Sequence, residues 1–391
     1  MYLSSWFPYP PDNGSRQRAF YLLRELAKRH QISLVAFYDP DQNPPQADAL
    51  REFCTNIITL PRKIFSPQGA RAFGAFFSSR PRSVASTFDP NIHAQIHALA
   101  ARENYDAVLV GELSMAPYAR DLSARAKILD DVEASVFEVH YRAAHGTARM
   151  RAGLMWWKFK RYIQTLAPQF DALTVVSARE KALLQEMGLP REKIFLAPNG
   201  VDCQAARAVN AAREPLSCIY NGALTFAPNL DAMRYFVREI LPLVREAEPR
   251  AHLRITGRAD QVAQNELCED NVVSFTGYVP DVKPLVAASA VCVVPLRVGG
   301  GTRLKILEAM ALGTPVVASS KGAEGLDVQH NVHLLIADTP RAFADAILEL
   351  FHQPNLAERL SAAAQQHVCA QYDWTHIAQQ FDRMLVERVQ K

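Results

Sequence analysis

The stretch Val298-Gly299-Gly300-Gly301-Thr302-Arg303-Leu304-Lys305-Ile306-Leu307-Glu308-Ala309-Met310-Ala311-Leu312-Gly313 follows directly on the apolar run Val291 to Leu296. Apolar residues recur at helical spacing from Leu304 onward, so the passage reads as a strand, a glycine turn and a helix. Three successive glycines leave backbone amides open to close approach, and the helix offers its positive end to an anion. A diphosphate suits that geometry. Arg303 and Lys305 are expected in the first turn, where the helix dipole disfavours a cation by about 0.3 to 1 kcal/mol. A bound anion would offset this; the competing reading is a solvated pair, with Lys305 reaching Glu308. The carboxylate of Glu308 shares a face with Leu304, Leu307 and Ala311. It is therefore expected part-buried and in need of donors, which ribose hydroxyls or a loop amide would supply.

Outward from this stretch, β-rich runs alternate with amphipathic helical segments, the pattern of βα units stacked into parallel sheets. In the first half the runs are Gln31 to Tyr38, Asp106 to Gly111, Ala126 to Asp131 and Asp171 to Ser177; Tyr2 to Ser5 reads as the end of a first strand, clipped at its start. In the second half they are Leu216 to Tyr220, His252 to Thr256, Val272 to Phe275, Val291 to Leu296, Pro315 to Ser319 and Val332 to Ile336. The proline-flanked, polar segment from Leu189 to Glu214 places the boundary there. The expected fold is α/β, two Rossmann-like parallel-sheet domains facing a cleft: residues 1–195, with the helix 374–391 crossing back to them, and residues 196–373. Ligands in such sheets bind at the carboxyl ends of the strands.

The 391 residues carry a net charge of +3, too even a balance to call for nucleic acid. Residues 1–190 hold 23 basic and 18 acidic groups, so the basic excess lies in the first half. The six cysteines form no CxxC pair and no zinc spacing with histidine, and read as reduced core thiols in a cytoplasmic protein. No run of eighteen apolar residues occurs. Gly-x-Gly-x-x-Gly and the Walker lysine pattern are missing, against dinucleotide oxidoreductases and P-loop enzymes. Asp130-Asp131 is not an Asp-x-Asp pair, so it does not call for a metal.

The residues quoted above, with Pro8-Tyr9-Pro10-Pro11-Asp12-Asn13-Gly14-Ser15-Arg16, Pro198-Asn199-Gly200-Val201-Asp202, Phe275-Thr276-Gly277-Tyr278-Val279 and Gly313-Thr314-Pro315-Val316-Val317-Ala318, resemble the retaining glycosyltransferases of family four, which have the two-domain GT-B fold. The resemblance covers nearly the whole chain. It implies transfer of a hexosyl group from a nucleotide diphosphate sugar to a hydroxyl acceptor, without metal or other cofactor. It implies donor contacts from Gly14, Ser15, Gly222, Arg258, Val279, Gly300, Gly301, Thr302 and Glu308. In the family two glutamates separated by seven residues flank the donor: Glu308 matches the second, and Gly300 stands at the first, so loop amides would take over the sugar contact. The family's arginine and lysine after Asn221-Gly222 are also missing, which makes Arg303 and Lys305 the expected catalytic cations. Where the family carries an acceptor-side histidine stands Asp130-Asp131-Val132-Glu133. Asp131 is the expected catalytic group there, with Glu133 and Arg16 on the acceptor; His140 and His145 read as structural.

Two basic stretches interleave with aromatics and hold no acid: Thr55 to Thr87, with Arg62, Lys63, Arg71, Arg80, Arg82, Phe65, Phe73, Phe76 and Phe77, and Arg142 to Gln164, with Trp156, Trp157 and Phe159. Such segments rest on an anionic leaflet or solvate one face of a helix. A peripheral place at the inner membrane face, with a polysaccharide or lipid-linked acceptor, follows as an expectation. Two other classes stay open, a non-catalytic nucleotide-sugar binder and a nucleotide-sugar epimerase.

Overall fold

The computed structural model describes residues 1–41, 45–62, 73–268 and 271–391. Lys63, Phe65 and Arg71 of the first basic stretch lie outside them. The chain divides into two compact units, Met1–Asn199 with Ile377–Lys391, and Gly200–His376.

Unit 1 is built on seven strands: β1 (Tyr2–Ser4), β2 (Ser33–Tyr38), β3 (Asn56–Pro61), β4 (Ala107–Gly111), β5 (Ala126–Asp130), β6 (Ala172–Val175) and β7 (Ile194–Leu196). Their order is β3-β2-β1-β4-β5-β6-β7, and every pair is parallel. The order reverses between β1 and β4, which opens a crevice at their carboxyl ends. Strands β4 and β5 are almost wholly buried, as continuous Val, Leu and Ile runs require in a sheet covered on both faces. Helix α1 (Gly14–Leu26) follows β1; the Asn13 side chain caps it by accepting from the Arg16 amide. Helix α2 (Gly146–Leu166) buries Phe159, Ile163 and Leu166 in the unit 1 core.

Unit 2 repeats the plan with β8 (Glu214–Asn221), β9 (His252–Thr256), β10 (Val273–Gly277), β11 (Ser289–Val294), β12 (Val316–Ala318) and β13 (Leu335–Ile336), ordered β10-β9-β8-β11-β12-β13 and all parallel. The reversal falls between β8 and β11. Helix α3 (Leu304–Ala311) follows β11 and buries Ile306, Leu307, Met310 and Ala311. Helix α4 (Trp374–Val389) closes the chain. Its buried face of Ile377, Ala378, Phe381, Met384 and Leu385 keeps helical spacing. In unit 1 its Asp382 accepts from Arg29 Nη1 at 3.0 Å and pairs with His30 Nε2.

The structure corrects the reading of all six cysteines as reduced core thiols. Cys203 and Cys369 are joined as a disulfide with Cα atoms 5.8 Å apart, and Cys268 is exposed; only Cys54, Cys218 and Cys292 are free and buried. The two paired residues lie 166 positions apart, so no local spacing announces them.

Candidate functional site

In unit 2 the expected donor residues gather at the carboxyl ends of the strands. After β8 the chain turns through Gly222, and after β11 through Gly299 to Thr302. Gly299 and Gly301 take φ of 111° and 81°, backbone that favours glycine. Arg303 is a correction to its expected place: it is the N-cap of α3, not a first-turn residue. Its guanidinium curls back to donate to the carbonyls of Gly300 at 2.7 Å, Gly299 at 3.1 Å and Lys321 at 3.3 Å. The side chain is buried, and burial lowers its pKa. Arg303 thus fixes the glycine loop from inside.

Lys305 sits in the first turn of α3. Its ammonium donates to the Tyr220 hydroxyl at 2.6 Å and to Asn229 Oδ1 at 3.1 Å, and stands 3.9 Å from the Tyr220 ring centroid. Tyr220 in turn donates to Asn229 Oδ1 at 2.6 Å. Burial, with the Arg303 charge adding to it, pushes Lys305 down to about 7, against smaller opposing effects from Cys292 and Glu308. A cation in that condition gains strongly from an added anion. Glu308 Oε2 accepts from Asn221 Nδ2 at 3.0 Å, so a side-chain amide supplies the donor that its part-burial calls for. Lys305 and Glu308 therefore reach the ends of β8 from one helix, one with positive and one with negative charge.

Gly222 is needed for this packing. A Cβ there would lie 2.8 Å from Lys305 Nζ and 3.0 Å from Asn229 Nδ2. At Gly300 a Cβ would meet nothing within 4 Å. Arg258 and Val279 follow β9 and β10; the Arg258 carbonyl accepts from Leu224 N at 2.8 Å, and its exposed guanidinium lies 5.6 Å from the Tyr278 ring centroid.

Gly14, Ser15, Arg16, Asp131 and Glu133 belong to unit 1. Gly14 and Ser15 open α1 after β1. Arg16 pairs with Asp12 of its own loop at 2.9 Å. Sequence reasoning passed over the neighbouring Arg18, which is the centre of a buried network. It forks onto Asp130 at 2.8 and 2.6 Å and donates to Ala197 O at 2.9 Å and Asn199 Oδ1 at 3.0 Å; the Thr174 hydroxyl also donates to Asp130. Beyond this pair the strand ends carry Glu112 and Asp131, both at positive φ, with Glu133 and Glu180 close by. Asp131 Oδ1 is buried with no hydrogen-bond partner among the described residues. Burial, then the neighbouring carboxyls, push Asp131 and Glu133 well above the ordinary carboxylate range, while Arg18 opposes. Protonated, such groups donate hydrogen bonds to an oxygen.

Tyr220 and Asn229 were also missed. The signal was present in Tyr220-Asn221-Gly222, polar groups ending an otherwise apolar strand at the point where the sheet order reverses. Arg18 had no such signal, since its partner lies 112 residues away.

Residues 12–205 match the Glycosyltransferase Family 4 model, and residues 216–353 match Glycosyl transferases group 1. An uncharacterised 44.6 kDa protein in the cps region of Klebsiella pneumoniae is 21% identical over 87% of this chain and 88% of its own. A GDP-mannose-dependent alpha-(1-6)-phosphatidylinositol monomannoside mannosyltransferase of Mycobacterium tuberculosis is 30% identical over 53% of this chain and 60% of its own length. In fold, the chain is similar to sucrose-phosphate synthase from Thermosynechococcus elongatus, with TM-score 0.70, 19% identity and 99% and 98% of the two chains covered. It is likewise similar to Anabaena HepE, solved with UDP and glucose, with TM-score 0.68, 15% identity and 98% of each chain covered. Two parallel sheets with reversal points, together with family matches that between them run from residue 12 to residue 353, lead to one conclusion: the chain belongs to the group 1, family 4 glycosyltransferases and has their GT-B fold.

Proposed function

We propose that this glycosyltransferase moves a hexosyl group from a nucleoside diphosphate sugar to a hydroxyl of a glycan or lipid-linked acceptor, with retained configuration and without a metal. The observation that carries the reading is the convergence of Lys305, Glu308 and the Gly299 to Thr302 loop on the ends of β8 and β11. Glu308 takes the ribose hydroxyls, the loop amides meet the sugar and the diphosphate, and Lys305 neutralises the charge that grows on the leaving phosphate. The bond from the anomeric carbon to the phosphate oxygen breaks as the bond to the acceptor oxygen forms on the same face. The acceptor proton passes to the departing phosphate oxygen, so no separate base is needed. Asp131 and Glu133 hold the acceptor as hydrogen-bond donors. A GDP-mannose-dependent relative and a UDP-bound structural neighbour support a nucleotide donor, and the phosphatidylinositol monomannoside in that relative's name supports a lipid-linked acceptor.

The test is to incubate the protein with UDP- and GDP-hexoses and a panel of glycan and lipid acceptors, and to read the product's anomeric configuration by NMR. An inverted product removes the retaining mechanism. Nucleotide binding without turnover over the whole panel favours a non-catalytic binder instead, the reading that Gly300 in place of a carboxylate supports.

A further inference from the structure

Among the large apolar side chains of unit 1 that stand in solvent are Phe73, Phe77, Met150, Leu154 and Trp157, with exposures of 68%, 86%, 77%, 42% and 57%. Met150, Leu154 and Trp157 occupy α2 at i, i+4 and i+7, one stripe along the helix. The stripe is not surplus core, because the same helix buries Phe159, Ile163 and Leu166 on another side. Phe73 and Phe77 adjoin it. Their rings cluster, 6.4 Å between centroids, and the carbonyl of Phe76 between them accepts from Lys158 of α2. A contiguous exposed apolar area of this kind marks an interaction surface.

The charges around it say what covers it. Arg149, Arg151 and Arg161 are exposed on α2, and from Val139 to Phe170 the chain holds no acidic residue. Pairing this face with a second copy of itself would set arginine against arginine. A polyanion without hydrocarbon would leave Phe77 and Met150 in water. Beside Phe77 a cavity of about 450 Å³, lined by Ser78, Arg80, Ser86 and Phe88 among others, offers a concave seat with one guanidinium. We propose that this face of unit 1 docks on an anionic phospholipid bilayer, its apolar stripe entering the acyl boundary and its arginines meeting lipid phosphates. Docking of this kind does not depend on the donor chemistry of unit 2.

The test is co-sedimentation of the full chain with phosphatidylcholine vesicles, with and without phosphatidylglycerol, at low and high salt. We expect the anionic vesicles to bind the protein at least roughly tenfold better, and added salt to weaken that binding. Phe77→Ser with Trp157→Ser, and separately Arg149→Glu with Arg151→Glu, should each lower partition about tenfold while the melting temperature and nucleotide binding stay unchanged. Equal partition into neutral and anionic vesicles overturns the proposal, and so do variants that bind like the parent. A dimer in solution that the same variants dissolve also overturns it, since the face would then belong to a second copy. Vesicle binding is read without turnover, so failure of the transfer reaction leaves this result standing on its own.

Discussion

Lys305 Nζ lies 2.6 Å from the hydroxyl of Tyr220, which itself donates to Asn229. The ammonium is thereby held in place before any ligand arrives. Its pKa of about 7 in the folded, unliganded protein makes nucleotide affinity depend on pH. A diphosphate favours the charged form, so above pH 7 binding must be accompanied by proton uptake, and affinity should fall by up to about tenfold per pH unit toward pH 9. The linkage to stability has the opposite direction. The ordinary value is 10.5, so between pH 7 and 10.5 the unfolded chain holds the proton and the folded one does not. This group's contribution to stability therefore rises with pH through that window. Calorimetry of UDP and GDP binding from pH 6.5 to 9 checks the first claim. A flat profile, matching Lys305→Met, would remove Lys305 from the site.

Gly222→Ala and Gly257→Ala should behave differently. At Gly222 the added carbon meets the tip of Lys305, a flexible group, so the fold should persist while turnover drops about tenfold or more as the ammonium is displaced. At Gly257 the added carbon lies 2.8 Å from the Ala223 amide nitrogen, on backbone at φ of 92°. There the melting temperature should fall markedly, by an amount on the order of 1 to 3 kcal/mol of stability. Paired melting and activity measurements distinguish the two.

Arg303 acts through the loop that it holds. Arg303→Lys cannot fork onto the carbonyls of Gly299 and Gly300, because an ammonium is a single point of charge. Turnover should fall by more than about tenfold, with a stability loss of about 1.5 to 3 kcal/mol. Normal activity in this variant would show that the loop keeps its shape unaided.

Arg18 and Asp130 form a fully buried pair in unit 1. Arg18→Leu leaves a carboxylate inside with its charge unmet and should cost about 3 to 5 kcal/mol. Arg18→Leu with Asp130→Leu should recover a large part of that loss. Urea unfolding of the two single variants and the double variant measures the coupling, and strict additivity would contradict it.

Gly300→Glu introduces a carboxylate at the position where the family resemblance implies one. Open space surrounds the site, so the variant should fold with stability within about 0.5 kcal/mol of the parent. Its donor preference should change, read as the ratio of turnover on two nucleotide sugars. An unchanged ratio would place the sugar elsewhere.

The eleven β-rich runs read from sequence all appear as strands, since each is a compact apolar run bounded by turn residues. The two that escaped notice, Asn56–Pro61 and Ile194–Leu196, are the outer strands of the unit 1 sheet. Each has one side without a neighbouring strand; the first alternates little and the second is three residues long, so neither repeats the buried pattern. In the site, the residues on the glycine turn and α3 were legible because backbone geometry and helix spacing are local. Arg18 with Asp130, Lys305 with Tyr220, and Cys203 with Cys369 depend on partners 85 or more positions away. Periodicity carries no record of such meetings.

Asp382, on the final helix, joins Arg29 and His30 near the start of the chain, although all of unit 2 is encoded between them. During synthesis the first unit must therefore wait, its docking surface for this helix uncovered, while the 177 residues of the second emerge. A nascent chain halted before Ile377 would expose that apolar surface.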